Sequence, residues 1–342
     1  MRESGDALPG RRVLVTGGAG FVGSHVARAL VLRGDHVVVL DDLSQGHRAA
    51  VPEGAGLVAA SLADAGAVER VLADGPWHAV LHFAALSLVG ESMKEPLRYL
   101  LANAGQGIAL VDACVRHGVR RFVLSSTANL FGEPDRVPIP EDAPPRPSSP
   151  YGESKLMLER ALAWADRAHG LRSACLRYFN AAGSDPDGAL GEDHDPETHL
   201  IPIAIDAALG RRPPLTVFGS DYPTGDGTAV RDYVHVSDLA DAHLLALDRL
   251  DAASVTYNLG NGAGHSVLDV VRAVERVSGR AVPREWGARR AGDPAVLVAS
   301  SARIRAELGW APRFADLDDI VRTAYEWRAK HPGGYGDRTP AG

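Results

Sequence analysis

Tyr151 and Lys155 stand four residues apart in "SSPYGESK", so on a helix they share one face, one turn from each other. A phenol beside an ammonium is a candidate general base, because a nearby positive charge favours phenolate. An ordinary tyrosine ionises near pH 10, so proton abstraction near neutrality needs a fall of roughly 3 units, about 4 kcal/mol. Only Lys94, Lys155 and Lys330 are lysines among 36 basic residues. A compact ammonium can approach phenol and ribose together, whereas a guanidinium fork suits carboxylates and phosphates. One of Ser125, Ser126 and Thr127, at the polar exit of "RRFVLSSTANLFG", is placed to bond the reacting oxygen beside the phenol.

A second stretch, "VTGGAGFVGSH", spaces Gly17, Gly20 and Gly23 three apart, and Gly18, Gly20 and Gly23 satisfy GxGxxG. A turn without Cβ atoms lets a pyrophosphate touch backbone N–H groups at the positive end of the following helix. The motif gains its weight from its place between the strand "RRVLV" and an apolar-periodic helix. Asp41 ends the next strand, where a carboxylate can accept hydrogen bonds from an adenosine ribose and repel a 2′-phosphate. NAD is thereby favoured over NADP, with Asp42 as the alternative ribose partner.

These residues need elements to hold them. Apolar runs alternate with helical patterns from residue 11 to about 180, which implies an α/β fold, a Rossmann-type doubly wound parallel sheet. "PLRYLLANAGQGIALVDACVRHG" reads as one long helix ending at Gly118, and a helix from Pro150, capped by Ser149, carries the tyrosine and lysine. After residue 180 the pattern loosens into Asp, Gly and Pro. The expected division is 1–180 as NAD-binding domain and 181–342 as a smaller α/β substrate lobe, some of it returning to the main sheet.

Composition narrows the partners. A net charge of −7 over 342 residues speaks against nucleic acid, and no apolar run approaches the roughly 20 residues of a membrane span. Cys114 and Cys175 lack any CxxC spacing, so the expectation is reduced thiols, a cytoplasmic location and no metal centre. His82 and the histidines of "HDPETH" have no compact ligand set in the sequence.

Glycine turn, hydroxyl and YxxxK together resemble the extended short-chain dehydrogenase/reductase family. The stretches "LRYFNAAG", "ETHLIP", "FGSDYPTGDGTAVRDYVHVSDLADAH", "YNLGNG" and "RRAGDPAVLVA" are similar to its UDP-hexose 4-epimerases in order and spacing, from about residue 11 to about 335. The resemblance implies transient oxidation at C4 of a UDP-hexose, rotation of the 4-keto sugar and return of hydride, converting UDP-galactose to and from UDP-glucose. It makes Thr127, Tyr151 and Lys155 catalytic. The implied NAD contacts are Gly17, Gly20, Phe21, Val22, Gly23, Asp41, Ser61, Leu62, Phe83, Ala84, Ala85, Ser87, Tyr151, Lys155 and Phe179. Those to the UDP-sugar are Thr127, Asn180, His199, Leu200, Thr216, Phe218, Arg231, Arg290 and Asp293. A homodimer through segments 97–117 and 151–168 is implied as well.

The chain departs from the family pattern at several positions. Ala60-Ser61 replaces Gly-Asp beside adenine, Ser87 replaces a lysine near the pyrophosphate, and Ala102 replaces an asparagine that supports the cofactor. Leu297 stands where some relatives have a tyrosine, which leaves N-acetylated hexosamines open. Ala128 and Asn129 follow the threonine where dehydratases of the family carry Asp-Glu, so elimination is disfavoured. The other readings are epimerisation of UDP-glucuronate or a UDP-N-acetylhexosamine, and an NAD(H)-binding sensor without catalysis.

Overall fold

Val13, Leu14 and Val15 are all fully buried, as consecutive residues are in a strand covered on both faces. They belong to β1 (Arg12–Thr16) in a computed structural model that describes residues 10–290 and 294–337. The first half continues with β2 (His36–Asp41), β3 (Gly56–Ala59), β4 (Ala79–His82), β5 (Arg121–Thr127) and β6 (Arg172–Tyr178). Its helices are α1 (Phe21–Leu32), α2 (Ala65–Ala73), α3 (Val89–Ser92), α4 (Pro96–Tyr99), α5 (Gln106–Arg116) and α6 (Pro150–His169).

The second half holds β7 (Asn180–Ala182), β8 (Leu215–Phe218), β9 (Val230–Arg231), β10 (Tyr233–His235), β11 (Val255–Leu259), β12 (His265–Ser266), β13 (Arg284–Gly287) and β14 (Val296–Leu297). Between them run α7 (Leu200–Ala208), α8 (Val236–Arg249), α9 (Val267–Ser278), α10 (Ala302–Leu308) and α11 (Leu317–Lys330).

Seven strands form one sheet in the order β11-β6-β5-β4-β1-β2-β3. Every neighbouring pair in it is parallel. This is the doubly wound Rossmann order with a seventh strand, and β11 enters it from beyond residue 180. Alternate residues divide the strands between two cores. Val13 and Val15 meet Val26 and Leu30 of α1 and Leu239 and Ala246 of α8, whereas Leu14, Val80 and Phe122 meet Val68, Leu110 and Leu158 on the other face. A third core joins α7, α9 and α11 around Val217, Val270 and Ile320. The remaining strands form small sheets of two or three: β7 with β10, β8 with β13, and β9 between β12 and β14.

The long helix expected over 97–117 is divided. A π-helical turn, Leu100–Gly105, separates α4 from α5, shifting side chains after it by one register position. Ser149 caps α6 through its hydroxyl, and Pro150 takes the first turn, where its missing N–H costs nothing.

Candidate active site

The carboxyl ends of β1, β4, β5 and β6 open on one crevice, at the point where the strand order reverses between β1 and β4. Gly17 has a φ of 72°, and a Cβ there would stand 2.3 Å from the nitrogen of Ala84. The N–H groups of Phe83 and Ala84 both donate to the Thr16 carbonyl, at 2.8 and 3.1 Å, which fixes the β4 exit against the turn. A Cβ on Gly23 would fall 2.1 Å from the Gly17 oxygen, so α1 can start this close only from glycine. Helix α1 has Gly20 at its N-cap, no side-chain cap and no acidic residue in its first turn. Its first N–H groups, from Phe21, Val22 and Gly23, are therefore left for an external anion, which fits a dinucleotide pyrophosphate.

Asp41 lies against this turn. Its carboxylate accepts from the Ala19 N–H at 3.0 Å and the Leu43 N–H at 2.8 Å. Burial raises its pKa while those bonds pull it down. Asp42 is exposed and bonded to Ser44, so Asp41 is the acidic residue at the turn. Ser61 accepts from the Ala63 N–H, Leu62 packs on the core, and Ala85 and Ser87 are exposed along the β4 exit. Phe83 packs on His243 with ring centroids 5.0 Å apart and the planes tilted by 41°.

Position 102 is alanine, but the residue after it is an asparagine that holds the β4 exit. Asn103, within the π turn, accepts from the Leu86 N–H at 2.8 Å and donates to the Leu86 carbonyl at 2.9 Å. It also donates to Ser154 of α6, tying the β4 exit to the helix of the tyrosine and lysine. Its visible signal was a lone amide among small and apolar residues, "LLANAG".

At the end of β5, Thr127 has its hydroxyl close enough to the Tyr151 phenol to pull the phenol's pKa down. The Thr127 oxygen also accepts from the backbone and side-chain N–H groups of Asn129. Lys155 is buried, and one of its three donors goes to the Ser125 carbonyl at 2.9 Å. Burial lowers its pKa to about 8, against the pull of Glu159 one turn on. The expected fall in the tyrosine pKa is not a property of the chain alone. Burial pushes the Tyr151 phenol up, opposed only by the nearby Thr127 hydroxyl, because Lys155 is turned to Ser125.

Sequence reasoning passed over two supports. Tyr178, at the end of β6, shares a 2.6 Å hydrogen bond with the Ser125 hydroxyl. Under Lys155, Glu159 accepts from Ser126 at 2.5 Å and from both arms of Arg177, at 2.9 and 2.6 Å. Their only trace was a glutamate four residues after the lysine and a charged residue in an apolar strand. His82 is also internal: its Nδ1 bonds Thr16 at 2.7 Å, and burial, with Lys155 nearby, lowers it to about 3.

Across the crevice, Asn180 in β7 donates to the Asp232 carbonyl, and Phe179 packs near Leu297 and Ala128. Thr216 donates to Glu285, Arg290 lies 4.3 Å over the half-exposed ring of Phe218, and Arg231 holds its own strand's Val230 carbonyl. Leu200 opens α7, with His199 as its N-cap residue. Asp293 lies outside the described residues. The reading that no compact ligand set accompanies the "HDPETH" histidines is corrected: Glu192 and Glu197 fold onto His194 and His199. Burial disfavours charge on both imidazoles, yet the carboxylates outweigh it, raising His194 to about 9 and His199 to about 10.

A model of the NAD dependent epimerase/dehydratase family matches residues 13–260. The chain belongs to that family. It is 49% identical over 328 residues to a UDP-glucose 4-epimerase of Lacticaseibacillus casei, covering 95% of this chain and 99% of that one. It is also similar to a Brucella ovis UDP-glucose 4-epimerase solved in complex with NAD, with a TM-score of 0.90, 45% identity, and 92% and 98% of the two chains covered. A Bifidobacterium longum UDP-glucose 4-epimerase in complex with NAD+ and UDP matches with a TM-score of 0.90 at 35% identity, covering 94% and 99%. Family membership thus extends over both the crevice and the second-half lobe.

Proposed function

We infer that this chain is an NAD-dependent 4-epimerase of UDP-hexoses that interconverts UDP-galactose and UDP-glucose. The observation that carries the reading is Tyr151 beside Thr127 and one helical turn from Lys155, near an uncapped helix N-terminus, in a chain so similar end to end to UDP-glucose 4-epimerases.

NAD, when bound, supplies the reversible hydride acceptor for the hydrogen at sugar C4. Gly17, Gly20, Phe21, Val22 and Gly23 hold its pyrophosphate and Asp41 its adenosine ribose, while Ser61, Leu62, Phe83, Ala84, Ala85, Ser87 and Phe179 line the rest. Tyr151 accepts the 4-hydroxyl proton and returns it, Thr127 steadies the C4 oxygen, and Lys155 binds ribose and adds positive charge beside the phenol once turned from Ser125. Asn180, His199, Leu200, Thr216, Phe218, Arg231, Arg290 and Asp293 hold the nucleotide, the arginines by fork contacts to phosphate. The division at about residue 180 separates these two tasks, although β11 belongs to the first half's sheet.

The protein pairs with a second copy through its α4–α6 face. Leu97, Leu101, Ile108, Met157 and Trp164 are exposed there, apolar surface that a second copy would cover. Light scattering should give a dimer and Trp164→Arg a monomer; a monomeric wild type removes this assignment. Free Cys114 and Cys175 and the need for NAD support a cytoplasmic location, and among the described residues no helix is long and apolar enough to cross a membrane.

The deciding experiment incubates the purified protein with UDP-galactose, without added NAD, and follows UDP-glucose by NMR. Product without NADH release is the expected result. If none forms after NAD is added, while UDP-glucuronate and UDP-N-acetylhexosamines also fail, the sensor reading replaces it.

A further inference from the structure

The segment between β7 and α7 carries a quartet of side chains that need not act together in epimerisation. Glu192 and Glu197 have side chains only 3% and 6% exposed. His199 Nδ1 lies 2.6 Å from Glu192 Oε1 and 3.5 Å from Glu197 Oε1. His194 Nδ1 lies 3.3 Å from Glu192 Oε1 and 3.8 Å from Glu197 Oε2. One donor atom from each of the four residues falls within 4.8 Å of all the others. A tetrahedral ion bound at about 2.0–2.1 Å sets its ligand atoms about 3.3 Å apart, so the Glu192–His194 spacing fits as it stands and the 2.6 Å Glu192–His199 pair would part to admit the ion.

The orientation of the atoms is the second observation. Glu192 Oε1, His194 Nδ1 and Glu197 Oε2 are buried without a well-formed hydrogen bond, although each has an oppositely charged neighbour. These buried atoms belong to three of the four residues whose donor atoms lie within 4.8 Å of one another. A single divalent ion would balance the two carboxylates. We propose that Glu192, His194, Glu197 and His199 form a site for one divalent cation of the zinc class.

Two imidazole nitrogens with two carboxylate oxygens suit a borderline ion, whereas calcium and magnesium take six or more ligands, nearly all oxygen. The site joins parts of the fold that no long strand connects. His199 is the N-cap residue of α7, the His194 ring meets Phe21 of α1 edge-on at 6.1 Å, and Arg328 of α11 stands 3.7 Å from Glu197. An ion here fastens the segment to three helices. The site stands whether or not the epimerase reading holds.

The test uses the full chain, stripped with a chelator and titrated with cobalt(II) chloride near neutral pH. One equivalent should give the visible absorption of four-coordinate cobalt and be displaced by zinc chloride. His194→Ala and Glu197→Gln should each weaken cobalt binding at least about tenfold, with circular dichroism unchanged. Should either variant misfold, the wild type decides: two cobalt-shifted imidazole Nε2–H resonances are expected, one from each Nδ1-bound ring. Absence of cobalt binding, tetrahedral absorption that survives both substitutions, or a bound ion without those two resonances overturns the proposal and leaves an ion-pair quartet only.

Discussion

Around Tyr151 the polar groups are held by the chain itself: Lys155 by the Ser125 carbonyl, Ser125 by Tyr178, Thr127 by Asn129, and the helix beneath by the Glu159–Arg177 pair. Across the crevice, Thr216, Phe218, Arg231 and Arg290 sit on or beside strands of two to four residues in small separate sheets. The reacting wall is therefore set by packing before any substrate arrives. The nucleotide wall is more exposed and relies on its ligand to complete it. Substitutions on the first should cost kcat or stability, and those on the second should cost KM.

The sharpest test of that contrast is Tyr151→Phe, which keeps the packing and removes the proton acceptor. The kcat for UDP-galactose should fall by about 10²–10⁴-fold with NAD retention unchanged, and initial rates beside bound-NAD absorbance check both. A kcat within tenfold of wild type would remove Tyr151 as the base.

Next is Glu159→Gln, which leaves Arg177 charged and buried without its carboxylate. Urea unfolding should show a loss of about 3–5 kcal/mol. A loss under 1 kcal/mol would mean that the wall is not fixed from below.

Lys155 gives a pH signature in the NAD-free protein. Its folded pKa of about 8 lies below the ordinary 10.5, so between these values the unfolded chain binds more protons and stability rises with pH. The cost of burying the ammonium is present in full below pH 8 and relieved towards pH 10.5, worth up to about 3 kcal/mol. Lys155→Met should flatten that rise relative to wild type in unfolding at pH 7 and pH 9.5. Parallel curves would refute the assignment.

The smallest expected effect is on the other wall. Arg290→Met should raise KM for UDP-galactose about tenfold or more, as loss of a charged hydrogen bond of about 1.5–3 kcal/mol requires, while stability stays within about 0.5 kcal/mol. An equal fall in kcat at unchanged KM would erase the distinction between the walls.

What could be read from the sequence follows the same division. The glycine turn, Asp41, the Ser149 cap with Pro150, and the Tyr151–Lys155 spacing depend on residues near one another in the chain, where period and cap chemistry carry the information. Glu159 with Arg177, Ser125 with Tyr178, and Asn103 with Leu86 depend on which strands lie side by side. The π turn after α4 hid Asn103 because one extra residue in a helix leaves no compositional mark. The Glu192–His199 quartet was missed for a related reason: both histidines were visible, but the burial of both carboxylates against them was not.

Strand β11 has a consequence for synthesis. It pairs along β6 from Ala174 to Tyr178, yet Val255 follows Tyr178 by 77 residues. At ~5–20 residues per second, a ribosome leaves that edge of the nascent sheet open for roughly 4–15 s, a template for pairing with other chains. Truncation near residue 180 would make that interval permanent.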